Sequence, residues 1–223
     1  MLAAVIFDFD GVIFDSETPE YESHKRLYAE YGVPLTVDEW CDAIGTWTAD
    51  HDDRRYEALC ARTTRPPARE VYHQRRHDIF EQLRPDAPMT GILDLLSALG
   101  RERIATAVAS TAPARWVRSA IPRLRLESHF QAIVTGDDVA RRKPAPDVYL
   151  EAVRRLGIDP GDAVAIEDSA PGVAAARAAG LRVVAIPHWL TATHDLAAAD
   201  LRVTHAGELT VARLQALVAP VTK

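Results

Sequence analysis

The sequence predicts an α/β fold: a doubly wound, parallel, Rossmann-like sheet as the core, with a small all-helical domain inserted into it. Three observations carry this expectation. Short apolar runs recur along the chain and each stops at polar or turn-forming residues, the pattern of strands buried on both faces. Helical patterns lie between most of these runs, and such alternation builds a parallel sheet. Residues 16–84 break the alternation: they hold no strand pattern and are rich in charge and aromatic rings.

The first strand is expected over 2–7, an apolar run cut short by Asp8 and Asp10. The insertion follows, with helical patterns near 18–31, 36–44, 51–62 and 68–83 and a loop at Thr63-Thr64-Arg65-Pro66-Pro67. Linkers are expected near 15–20 and 83–88, the second stiffened by Pro85 and Pro88. The later strands are 104–109, ending at Ser110; 132–134, ending at Thr135-Gly136-Asp137; 163–166, ending at Glu167-Asp168; and 183–186, ending at Pro187. Helices are expected over 91–99, 113–120, 146–156 and 171–179. Pro146 and Pro171 stand where a first-turn proline is tolerated. Gly157 and Gly180 stand just past helical runs, as terminating glycines do, and Gly100 is read the same way. The division is thus a core of 1–15 and 85–223 and an inserted unit of 16–84.

Bulk properties narrow the function. The chain has 223 residues, 48% hydrophobic and 26% charged, with a net charge of −6. That balance is ordinary for a globular protein and offers no basic footprint for nucleic acid or an anionic membrane. No apolar run reaches the roughly 18–20 residues that span a bilayer, and the N-terminus lacks the basic and long apolar parts of a signal peptide. Cys41 and Cys60 are the only cysteines and form no CxxC pair, which fits free thiols in a reducing compartment. A cytoplasmic location and a monomer or weak homodimer are the expectations.

Ligands of an open parallel sheet bind beyond the carboxyl ends of its strands. Asp8, Asp10, Ser110, Glu167 and Asp168 all follow strand patterns, and Lys143 lies in the loop after the third. They are expected to meet at one edge. Carboxylates brought together raise one another's pKa, so a positive charge must hold them ionised. With no His or Cys cluster, oxygen ligands favour a hard cation, Mg²⁺. Such a site with a lysine and a serine suits a phosphoryl group, whose oxygens the charges neutralise. One carboxylate can attack phosphorus and form an aspartyl-phosphate. A second, two residues on as Asp10 is, can protonate the leaving alcohol and later take a proton from water.

At this point the residues resemble a known family. The run Asp8-Phe9-Asp10-Gly11-Val12-Ile13-Phe14-Asp15-Ser16-Glu17 resembles the first motif of the haloacid dehalogenase-like hydrolases. Val108-Ala109-Ser110-Thr111, Lys143-Pro144-Ala145-Pro146-Asp147 and Ile166-Glu167-Asp168-Ser169-Ala170-Pro171-Gly172 resemble the second, third and fourth, in the family's order. The resemblance implies that Asp8 is nucleophile and Mg²⁺ ligand, and that Asp10 is the general acid/base and binds the ion through its carbonyl. It implies that Ser110, Thr111 and Lys143 hold the phosphoryl group, and that Glu167 and Asp168 serve the metal. It makes 16–84 the helical cap. Asp10 points to phosphoryl transfer, because true dehalogenases of the family lack that second aspartate.

The branch resembled holds β-phosphoglucomutase and small sugar-phosphate or phosphoglycolate phosphatases. Its mutases carry a histidine shortly after the first motif; here Glu20 stands at about that place, and His24 follows four residues later. This favours hydrolysis of a small phosphorylated metabolite over mutase activity. A receiver-like phosphoacceptor domain is the non-enzyme alternative, though it would lack the paired aspartates and the cap. Gly45, Thr46 and Trp47 fall where the family places its substrate-facing cap loop, with Trp47 either walling the pocket or packing between helices. One of Arg54, Arg55, Arg75 and Arg76 is expected to face the site. His73 and His77 have metal-clamping spacing but no acidic or cysteine partner in the sequence. His188 and Trp189 either border the site or pack a loop.

Overall fold

A computed structural model describes residues 1–41 and 51–219, without the side chains of 51 and 52. The chain runs β1 (Ala4–Phe7), then four helices, α1 (Glu17–Glu30), α2 (Val37–Cys41), α3 (His51–Cys60) and α4 (Arg69–Leu83). It continues α5 (Ile92–Arg101), β2 (Ala105–Ala109), α6 (Ala114–Arg123), β3 (Ala132–Val134) and α7 (Asp147–Leu156). The last elements are β4 (Ala163–Glu167), α8 (Ala170–Ala178), β5 (Arg182–Ala185), β6 (Leu201–Arg202) and α9 (Val211–Val218). The strands form one parallel sheet in the order β3-β2-β1-β4-β5-β6. The order reverses beside β1, between β1 and β4, which opens a crevice at the carboxyl ends of those two strands. No helix among the described residues is long and apolar enough to cross a membrane.

The period-two geometry of a strand sorts its side chains to two faces. Val5, Phe7, Val108, Val164, Ile166 and Val184 join α5, α6 and α9 in one apolar layer. Ile6, Ala107, Ala109, Ala163 and Ala165 face α7 and α8. The alanines there let helices bearing Ala152, Ala175 and Ala176 lie close to the sheet. Burying each large aliphatic or aromatic side chain stabilises by roughly 1.5–3 kcal/mol.

Helices α1 to α4 hold an apolar cluster of their own, built on Tyr21, Leu27, Tyr28, Trp40, Leu59 and Tyr72. Leu190, from the loop after β5, is packed into this cluster, so the insertion and the sheet domain share a contact at that loop.

Some details differ from expectation. The first expected linker is mostly helix: α1 begins at Glu17, and Pro19 fits its first turn, where a missing N–H costs nothing. Gly100 lies inside α5, and the chain leaves that helix through Arg103 at φ 57°. The described part of the 36–44 pattern is helical from Val37 to Cys41, and the rest lies outside the described residues. Neither β6 nor α9 was expected. Thr210 caps α9 by accepting a hydrogen bond from Arg213 N–H at 3.2 Å, a start signal that the sequence does contain.

Candidate active site

The register places the acids. Phe7 pairs with Val108 on one side and Ile166 on the other, so Asp8 and Glu167 leave the sheet at the same level. Asp8 N–H still donates to Ile166 O at 2.9 Å, which locks the first residue past β1 to the neighbouring strand. The chain then turns sharply through Gly11, at φ 78°. A Cβ at Gly11 would lie 2.4 Å from Asp168 Oδ2, so only glycine serves both the dihedral and the close approach. At Gly172 the close approach alone requires glycine: a Cβ there would overlap the Glu167 carboxylate.

Lys143 crosses from the loop after β3 into the centre of the acids. Its Nζ donates to Asp8 Oδ1 at 2.8 Å, to Glu167 Oε1 at 2.6 Å and to Ala109 O at 2.9 Å. All three protons of the ammonium are used, and the residue is buried. Tyr149 donates its hydroxyl to Glu167 Oε1. Asp8, Glu167 and Asp168 are buried together, each offering an oxygen within 4.8 Å of the others.

Asp10 is held differently. Ser16 Oγ and Trp116 Nε1 both donate to its Oδ1, at 2.6 and 2.8 Å. Oδ2 is left toward Ser110, whose Oγ stands at 3.5 Å. Trp116 packs on Phe14 of the core and on Phe80 of α4, so the residue that aims Asp10 also touches the helical insertion.

The electrostatics call for a cation. Burial pushes Asp10 up to about 6, against the hydrogen bond from Ser16. Burial and the Asp8 charge push Glu167 up to about 7, and the same causes push Asp168 well above the carboxylate range. Burial would lower Lys143, but Asp8 and Glu167 outweigh it and hold the ammonium above its usual range. Asp8, Glu167 and Asp168, with Asp10 close by, thus share one buried lysine. The hard oxygen donors Asp8, Glu167 and Asp168 fit a divalent cation such as Mg²⁺.

This has a consequence for stability. The folded, metal-free protein binds protons at Glu167 and Asp10 that the unfolded chain, with carboxyl pKa near 4, has already lost. Stability in chelator therefore falls as pH rises from about 4 through about 7. Thermal melts in EDTA are expected to give a Tm several degrees higher at pH 5.5 than at pH 8, at roughly 2–4 °C per kcal/mol for a chain of this size. Millimolar Mg²⁺ is expected to close most of that gap. A chelated protein whose Tm is the same at both values would contradict this electrostatic account.

Other expected residues fall as follows. Thr111 is half-buried beside Ser110, its carbonyl packed against Gly136. Gly45, Thr46 and Trp47 lie outside the described residues. Arg75 pairs with Glu30 at 2.6 Å, Arg55 sits over the Trp40 ring, and Arg54 is exposed. Arg76 pairs with Glu20 at 2.9 Å. His73 lies 3.2 Å from Asp53 and His77 is exposed. Among the described residues the metal-like grouping is the one at Asp8, not these histidines.

His188 Nε2 lies 3.2 Å from Asp15 Oδ1 and 3.3 Å from Thr18 Oγ1, and Trp189 Nε1 donates to Thr18 Oγ1 at 2.8 Å. The same loop sends Thr191 Oγ1 to within 3.5 Å of Asp168 Oδ2. Sequence reasoning gave no part to Ser16, Glu17, Trp116, Tyr149 or Thr191. Ser16 and Glu17 stand inside the first motif; the others carry no local signal.

An acid and lysine cluster at the switch point of a parallel sheet, in a chain with a helical insertion, fits an α/β enzyme of phosphoryl chemistry. The family described as haloacid dehalogenase-like hydrolase matches residues 5–186. A Bacillus subtilis protein named YhcW is 33% identical over 96% of each chain. The phosphorylated carbohydrates phosphatase of Thermotoga maritima is 33% identical over 85% of this chain and 87% of its own. Among solved structures, CbbY from Rhodobacter sphaeroides in complex with phosphate superposes with a TM-score of 0.76 at 29% identity, over 96% of this chain and 100% of that one. The chain belongs to the haloacid dehalogenase-like hydrolases, as an enzyme of the phosphoric monoester hydrolase type.

Proposed function

We propose that the protein is a Mg²⁺-dependent phosphatase that hydrolyses a small sugar monophosphate or similar metabolite through an aspartyl-phosphate at Asp8. The observation that carries this is the ion pair of Asp8 with Lys143 at 2.8 Å, beside Glu167 and Asp168. Lys143 engages Oδ1 and leaves Oδ2 of Asp8 outside that pair. Asp8, Glu167 and Asp168, with the Asp10 carbonyl, would hold Mg²⁺, which supplies positive charge for the phosphoryl oxygens.

The chain's own groups do the rest. Lys143 holds its positive charge beside the phosphoryl oxygens and keeps Asp8 ionised, and Ser110 and Thr111 donate to the same group. A carboxylate oxygen of Asp8 attacks phosphorus as the ester P–O bond breaks. Asp10, its pKa raised to about 6, retains a protonated fraction near neutrality and gives its proton to the leaving oxygen. Asp10 then takes a proton from the water that attacks the aspartyl-phosphate, and phosphate leaves. Helices α1 to α4, within 16–84, act as a cap over a core of 1–15 and 85–223 and exclude other water. The enzyme works as a monomer or weak homodimer.

Net hydrolysis is favoured over mutase activity because Glu20, near the place of the mutase histidine, is tied to Arg76. His24 is buried among cap rings and lies 2.8 Å from the Tyr72 hydroxyl. The relative named a phosphorylated carbohydrates phosphatase supports the substrate class. Phosphate release from a panel of sugar phosphates, phosphoglycolate and nucleotides tests the reading. Release from sugar monophosphates with Mg²⁺, lost in EDTA, is expected. Full activity in chelator, or isomerisation of a hexose 1-phosphate without free phosphate, would overturn it.

A further inference from the structure

We propose that Trp116 is a positioning residue for proton transfer: its indole N–H fixes Oδ1 of Asp10 as the accepting oxygen, so that Asp10 gives its proton to the leaving alcohol from Oδ2. The proposal rests on the function given above and names the residue that aims the acid of that same site.

Rotation of the Asp10 carboxyl group would interchange its two oxygens. The backbone that carries it is fixed: Asp10 bridges to Phe14, and Gly11 N–H donates to Phe14 O at 2.8 Å. That turn does not choose between the oxygens. Ser16 Oγ lies 2.6 Å from Oδ1, but a hydroxyl both donates and accepts, so it would serve that oxygen with or without a proton. Trp116 Nε1 lies 2.8 Å from the same oxygen, and an indole nitrogen only donates. The carbonyl oxygen of a carboxylic acid accepts more strongly than its hydroxyl oxygen. A donor-only partner therefore favours Oδ1 as the carbonyl oxygen and leaves the proton to Oδ2.

Oδ2 is turned toward the phosphoryl side. Ser110 Oγ stands 3.5 Å from it, and Ser110 holds the phosphoryl group in the function given above. In the transfer the Oδ2–H bond breaks and the proton joins the leaving oxygen, which keeps the electron pair of its broken bond to phosphorus.

Trp116 is itself held in place. It lies in the first turn of α6, where its backbone N–H donates to Pro113 O at 3.0 Å. Its ring centroid stands 6.2 Å from that of Phe14 and 5.8 Å from that of Phe80 on α4. Packing alone accounts for a large aromatic ring here, and phenylalanine would supply it. Packing does not account for an N–H at hydrogen-bond distance from the general acid.

The test compares kcat/KM of the full-length enzyme, with Mg²⁺, on two esters: the sugar phosphate that wild type turns over best in the panel above, and 4-nitrophenyl phosphate. The first leaves as an alkoxide that needs a proton; the second leaves as a phenolate that is stable without one. Trp116→Phe keeps the ring and removes the N–H. It is expected to lower the ratio of sugar phosphate to 4-nitrophenyl phosphate about 10-fold, part of the roughly 10²–10⁴-fold that a positioned acid supplies. Trp116→His loses ring area but places an imidazole Nε2 the same number of bonds from the backbone as the indole Nε1, and is expected to recover most of the ratio. In an Asp10→Asn background, with no proton to give, Trp116→Phe is expected to change the ratio no further. Turnover of 4-nitrophenyl phosphate reports whether each variant folds. An equal loss on both esters in Trp116→Phe, an unchanged ratio, or a further fall of the same size in the Asp10→Asn background would overturn the role of Trp116 and leave the phosphatase reading standing. A wild type that releases phosphate from no member of the panel and not from 4-nitrophenyl phosphate would overturn both.

Discussion

Asp8→Asn is expected to lower kcat for phosphate release by on the order of 10⁴-fold or more, the scale seen when a covalent nucleophile is removed. The fold is expected to survive. Asparagine has the same shape and keeps an acceptor for Lys143, which is also anchored by Glu167 and Ala109 O. Removing the Asp8 charge relieves one cause that pushes Glu167 and Asp168 upward. The metal-free variant is therefore expected to melt no lower than wild type at pH 8. Loss of turnover with an undiminished Tm separates a chemical role from a structural one.

Lys143→Met is expected to fail in both ways. The substitution fills a similar volume but removes the buried charge that Asp8 and Glu167 share. Breaking a buried ion pair from one side costs about 3–5 kcal/mol, because the charge left behind has no partner. Asp8 and Glu167 would then either stay ionised in a low-dielectric site or take up protons. Urea denaturation in chelator is expected to show that loss at pH 8 and a smaller one near pH 5.5, where the acids neutralise. Turnover is expected to fall at least 100-fold as well, since Lys143 also holds its charge beside the phosphoryl group in the proposed mechanism. A stable variant with near-wild-type turnover would contradict both arguments.

Most of the site was legible because its residues stand at strand ends. An apolar run that stops at a carboxylate is a local signal, and the rule that ligands bind beyond the carboxyl ends of a parallel sheet brings distant residues to one edge. Asp8, Lys143, Glu167 and Asp168 meet there, and Ser110 faces Asp10. Trp116 was not legible: it lies on an amphipathic helix where a tryptophan reads as core, and its bond to Asp10 depends on how α6 packs. Tyr149 is the same case on α7. The fold's later elements were missed for other reasons. A two-residue strand such as β6 has no periodicity, and α9 is only eight residues long. Gly100 misled because glycine also occurs inside helices, at a cost of roughly 1 kcal/mol relative to alanine.

The central claim is that phosphate passes through Asp8. Its most direct test is to acid-quench the wild-type enzyme during turnover of a labelled sugar monophosphate with Mg²⁺ and to locate the phosphoryl group by peptide mass spectrometry. The label is expected on Asp8, sensitive to hydroxylamine as an acyl phosphate is, and absent from Asp8→Asn. A phosphoryl group found on another residue, or an Asp8→Asn enzyme that turns over as wild type does, would contradict the account.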